Sequence, residues 1–109
     1  MDKINPDHYK QIKYCECIDI TDKNTFCIGN VIKYLWRLGS KDDTTTEANK
    51  AIWYLNRAMD IDDEVYDTFN LLAVAYELKD IDPIKAHIFY LLANNRLHKA
   101  KQVITESYL

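Results

Sequence analysis

Glycine occupies only two of the 109 positions, Gly29 and Gly39, and proline only two, Pro6 and Pro83. A sheet protein of this length needs Gly, Pro and Asx turns between short alternating apolar runs, and no such punctuation occurs. What recurs instead is the 3.6-residue apolar spacing of helices, which predicts an all-α chain. The same shortage removes two common phosphate cradles. A Walker loop needs two glycines followed by Lys and Ser or Thr, and the dinucleotide fingerprint needs three glycines. Any bound phosphate must therefore be held by side chains or helix N-termini.

Pro6 and its polar neighbours predict an irregular N-terminal arm, with a turn or two of helix within Tyr14 to Ile20. A first main helix is expected from about Asn24 to Leu38, closed by Gly39, and the polar stretch from Ser40 to Thr46 is expected as a loop. Thr44-Thr-Thr-Glu47 has capping-box spacing and begins a second helix that runs to about Met59. The acid run Asp60-Ile-Asp-Asp-Glu64 suits the first turn of a third helix, about Asp63 to Lys79. It does not fit a calcium loop, because no glycine follows Gly39. Asp82-Pro83 reads as the N-cap and first position of a fourth helix reaching towards Ser107. The expectation is one domain, a small helical bundle of about four main helices with an irregular N-terminal arm.

The formal net charge of −3 argues against a nucleic-acid partner, since such binding rests on a surface that neutralises many phosphates. No run approaches the ~20 apolar residues of a membrane span, and the polar stretch from Met1 to Lys13 lacks a signal peptide's apolar segment, so the expected location is cytoplasmic. Cys15, Cys17 and Cys27 are odd in number and are expected to be free thiols that pack as small hydrophobes. Joined to His8 they match no standard zinc spacing. Serine occurs only at Ser40 and Ser107, in no nucleophile-elbow context.

Two helix faces carry more chemistry. In the first main helix Asn30, Lys33 and Arg37 share one side while Val31, Leu35 and Leu38 share another; the second helix repeats the pattern with Glu47, Lys50, Tyr54 and Arg57. Long cations beside aromatic rings suit a ligand with both a phosphate and a base, which points to a nucleotide. Glu16-x-x-Asp19 on a helix would place two carboxylates on one side, able to hold a divalent ion or orient a nucleophile. Gly29 inside an apolar helix implies close approach of another backbone or a ligand. Trp36 and Trp53, at helical spacing, are expected in the core. The fourth helix is apolar on two sides, Ile84, Ile88, Leu91 and Leu92 against Ala86, Phe89 and Ala93. With Tyr66, Phe69 and Tyr76 in the same half, this predicts a homo-oligomer built on the third and fourth helices.

Asn5-Pro-x-His-Tyr9, Glu16-x-Ile-Asp19, Phe26-x-x-Gly-Asn-x-Ile-Lys-Tyr-x-x-Arg37, Lys41-Asp-Asp43 and Lys50-Ala-x-x-Tyr-Leu-x-Arg57 form an ordered series over residues 4 to 57. In this series the chain resembles the bacteriophage nucleotide-kinase family long catalogued as a domain of unknown function. The resemblance implies a phosphotransferase that acts on deoxynucleoside monophosphates in the bacterial host cytoplasm without a Walker loop. It implies Glu16, Asp19 and His8 as catalytic candidates. Substrate would be bound by Asn5, Tyr9, Asn30, Lys33, Tyr34, Arg37, Lys50, Tyr54 and Arg57. It leaves magnesium open as a cofactor and names no resident metal site. The C-terminal hairpin, residues 58 to 109, lies outside it. Two alternatives stand beside this reading. One is an all-α nucleoside-triphosphate pyrophosphohydrolase, although Lys50 stands where its second Glu-x-x-Asp motif would need an acid. The other is a non-enzymatic helical protein that binds a host protein.

Overall fold

A computed structural model describes residues 12–39 and 43–109. All the regular structure among them is helical: α1 (Cys17–Thr21), α2 (Phe26–Arg37), α3 (Thr44–Asp60), α4 (Thr68–Leu78), α5 (Pro83–Ala93) and α6 (Leu97–Tyr108). The all-α expectation holds, with six helices rather than four. Side-chain oxygens cap four of the starts. Thr25 accepts from Ile28 N–H, Asp43 from Thr46, Asp67 from Asn70 and Asp82 from Lys85, each satisfying a donor that the first turn cannot pair internally. The Asp82-Pro83 start is as the sequence predicts.

Two boundaries are corrected, for one reason. Asp62 lies at φ 55° and Asn95 at φ 57°, both left-handed without being glycine. Asp63 N–H reaches back to Ala58 O at 2.8 Å and Arg96 N–H to Leu91 O at 2.9 Å, the six-to-one bond of a Schellman closure. The acid run therefore ends α3 instead of opening the next helix, so α4 begins at Thr68 rather than near Asp63. The expected fourth helix is likewise broken at Asn94–Asn95 into α5 and α6. Asn95 then ties the break to the rest of the chain. Its Oδ1 accepts from Val65 N–H at 2.7 Å and its Nδ2 donates to Val65 O at 3.3 Å.

α2 and α3 pack as one hairpin, α4 and α5 as another, and α6 lies against α3 and α5. Leu35, Leu55, Leu71, Ile88, Phe89, Leu92 and Ile104 are fully buried in the shared core. Phe89, on one of the two apolar sides of the expected fourth helix, sits in this core, its ring centroid 6.0 Å from that of Trp36. Trp36 is buried as expected, whereas Trp53 is 64% exposed. The phase explains it: Ala51, Leu55 and Ala58 turn inward, and Trp53 points away from them. A Cβ on Gly29 would stand 3.2 Å from Thr21 O, so the missing side chain lets α1 lie against α2. Lys85 is the surprise of the interior. Its Nζ donates to Trp36 O at 3.1 Å and Leu38 O at 2.7 Å, closing the C-terminal end of α2 from inside the core.

Candidate functional site

The outer face of the α2–α3 hairpin gathers most of the residues singled out by spacing. Tyr34, half-buried on α2, is the centre. Lys33 Nζ lies 4.6 Å from its ring centroid, Lys50 Nζ 5.4 Å and Arg37 Cζ 5.9 Å. The Tyr34 ring stacks on Tyr54 of α3 at 5.9 Å and 14°. Tyr54 is met edge-on by Phe26 at 5.9 Å and by Trp53 at 5.0 Å. Phe26 is 75% exposed, so the face offers bare ring surface as well as charge. Lys50 and Tyr54, one turn apart on the same side of α3, both reach Tyr34 across the hairpin.

Glu47, which spacing placed on one polar face with Lys50, Tyr54 and Arg57, is instead buried beneath that face, in phase with the core side of α3. Its carboxylate is 3% exposed, and Oε2 faces Arg37 Nη2 at 3.4 Å. Oε1 is buried with no hydrogen-bond partner among the described residues. The signal was present in the sequence, since Glu47, Ala51, Leu55 and Ala58 fall on one helical stripe, an acid in phase with the core.

The remaining candidates sit around the edge. Asn30 Nδ2 donates back to Phe26 O at 2.9 Å, and Asn30, Gly29 and Lys33 line a cleft of about 260 Å³ that also touches Ile18 and Thr21 of α1. Lys33 thus faces both the Tyr34 ring and this cleft. Arg57 is exposed on α3, one turn beyond Tyr54. Glu16 and Asp19 are exposed at the start of α1, where Asp19 Oδ2 accepts from Glu16 N–H at 2.9 Å in a capping box. Asn5, His8 and Tyr9 lie outside the described residues, as do Lys41 and Asp42.

Cys15, Cys17 and Cys27 are all free. Burial pushes the Cys17 thiol up to about 12, with Cys15 adding to the rise and Lys33 opposing it, and burial likewise raises Cys15. Neither is a ready thiolate at neutral pH. Among the described residues no group of three or more His, Cys, Asp or Glu side chains is placed to hold a metal ion.

This face falls within a family match. Residues 3–56, just under half of the chain, match the model of a family described as a protein of unknown function (DUF3310). The match covers α1, α2 and α3 as far as Asn56, and so every candidate site residue except Arg57. No curated protein and no solved structure matches the chain.

Proposed function

We propose that the α2–α3 face binds a nucleotide and that the protein is a deoxynucleoside monophosphate kinase-like phosphotransferase. The observation that carries the binding half is the convergence of Lys33, Lys50 and Arg37 on one tyrosine ring that itself stacks on a second. Cations on two packed helices neutralise phosphate oxygens, and the exposed rings of Phe26 and Trp53 offer a base a surface to stack on. The resemblance of residues 4 to 57 to the phage nucleotide-kinase family supplies the reaction. The γ-phosphoryl group leaves a donor triphosphate and bonds to a phosphate oxygen of the acceptor monophosphate, giving two diphosphates. Such a transfer is chiefly positioning and charge neutralisation, which helix-borne cations can provide without a glycine loop. The resemblance adds Asn5, His8 and Tyr9 to the residues that would contact the nucleotide, and Glu16 and Asp19 as catalytic candidates.

Calorimetry against deoxynucleoside mono- and triphosphates, followed by chromatography of the products with and without EDTA, tests both halves. Diphosphate formed from monophosphate plus triphosphate is the expected result, and its loss in EDTA with recovery on added magnesium would assign that ion to the reaction. Pyrophosphate released from a lone triphosphate would replace the kinase by a pyrophosphohydrolase. No heat at millimolar nucleotide would overturn the binding itself and leave the host-protein binder.

A further inference from the structure

A second surface is unexplained by folding. The inner sides of α4 and α5 are already filled, with Leu71, Val74, Leu78, Ile88 and Leu92 all buried. Yet their outer sides are apolar too. α4 presents Phe69, Leu72 and Tyr76 at i, i+3 and i+7, exposed by 76, 39 and 72%, and α5 adds Ile84 and Tyr90, exposed by 46 and 52%. Between the helices runs a groove of about 550 Å³ floored by Ala75 and Ala86.

We propose that this α4–α5 face is a dimerisation surface whose occupant is the same face of a second copy of the chain, related by a two-fold axis. The area argues for it. With about 200 Å² for a full-sized aromatic, the five side chains leave on the order of 600 Å² exposed. That is most of the roughly 800 Å² each partner contributes to a stable interface, and Lys79, Pro83 and His87 extend it. The shape argues for a copy rather than a lone peptide helix. Projecting rings and an alanine-floored slot occur on the same two helices, so one surface supplies both the ridge and the groove that a self-complementary contact requires. A single helix laid in the slot would leave Phe69 uncovered. Charge agrees. Lys79, the one formally charged residue lining the groove, already has Asp80 at 2.9 Å, so pairing two copies opposes no bare cations. No residue lining the groove comes from α2 or α3, so the nucleotide-binding face would stay open in both copies.

Sedimentation and light scattering of the full chain at high micromolar concentration should give twice the 12.8 kDa chain mass. Phe69→Asp, Tyr76→Asp and Tyr90→Asp should each return the monomer mass with unchanged helical circular dichroism. Trp53→Asp, an equally bare aromatic on α3, should stay dimeric. Amide shifts of the wild-type chain should change with dilution on α4 and α5, a readout that needs no variant. A wild-type monomer, a species other than a dimer, dilution shifts on other helices, or folded aspartate variants that remain dimeric would each overturn the proposal.

Discussion

Glu47 and Lys85 are both charged and almost wholly buried, at 3% exposure each, and they are accommodated in opposite ways. Glu47 faces a partly exposed guanidinium at 3.4 Å, long for a charge-assisted bond, so the pair holds Arg37 in place more than it adds stability. Glu47→Gln should keep the fold and weaken nucleotide binding by loosening Arg37. On the proposed function, Lys33→Gln and Lys50→Gln each remove a cation offered to phosphate and should raise the Kd for nucleotide roughly tenfold or more in calorimetry. Among the described residues no carboxylate pairs with the Lys85 ammonium; burial lowers its pKa and Asp82 only partly opposes this. Lys85→Met would leave Trp36 O and Leu38 O without that donor, costing about 1–3 kcal/mol in urea unfolding at neutral pH. The pH dependence has a definite sign. A lysine whose folded pKa lies below its unfolded 10.5 carries its full penalty while both states are protonated. The penalty is relieved as pH rises from the folded value towards 10.5. The stability advantage of the wild type over Lys85→Met should therefore grow across that window. Cys17, pushed up to about 12, should alkylate slowly at pH 8 in the native chain and quickly in urea, as resolved by peptide mass analysis.

At the scale of the element, most helix bounds were legible in the sequence, whereas the start of α4 and the break between α5 and α6 were not. Asp82-Pro83 is a strong start signal because Pro restricts φ and Asp can accept the free donors of the first turn. The closures of α3 and α5 fall on Asp62 and Asn95, residues that enter the left-handed region less readily than glycine and so leave a weaker mark in the sequence. Asp62→Gly should stabilise the chain by about 0.5–1 kcal/mol by removing that backbone strain. Asn95→Ala should destabilise it by roughly 2–3 kcal/mol, because it keeps the strained conformation and also loses both bonds to Val65. Urea midpoints at constant m-value check both.

At the scale of the whole molecule, the segment that matches a family model is not a self-sufficient core. Trp36 of α2 packs on Phe89, the end of α2 is closed by Lys85, and α3 is covered by α6. A fragment ending at Asp60 should therefore show little cooperative thermal unfolding by circular dichroism, whereas the full chain should melt in one transition. No described helix is long and apolar enough to cross a membrane.

Period and punctuation by themselves determined that this chain is helical, where α2 and α3 run, and that Lys33, Arg37, Lys50, Tyr54 and Arg57 share outward phases, because these depend on residues within a few turns of one another. The tertiary structure alone decided that Phe89, on a helix apolar nearly all round, belongs to the core while Phe69 and Tyr76 do not. It also decided that Tyr34 becomes the meeting point of three cations. Those outcomes turn on the crossing of one hairpin against another and on long-range ties such as Asn95 to Val65 and Lys85 to the end of α2. Such contacts join residues 30 to 49 positions apart, beyond the reach of any local periodicity.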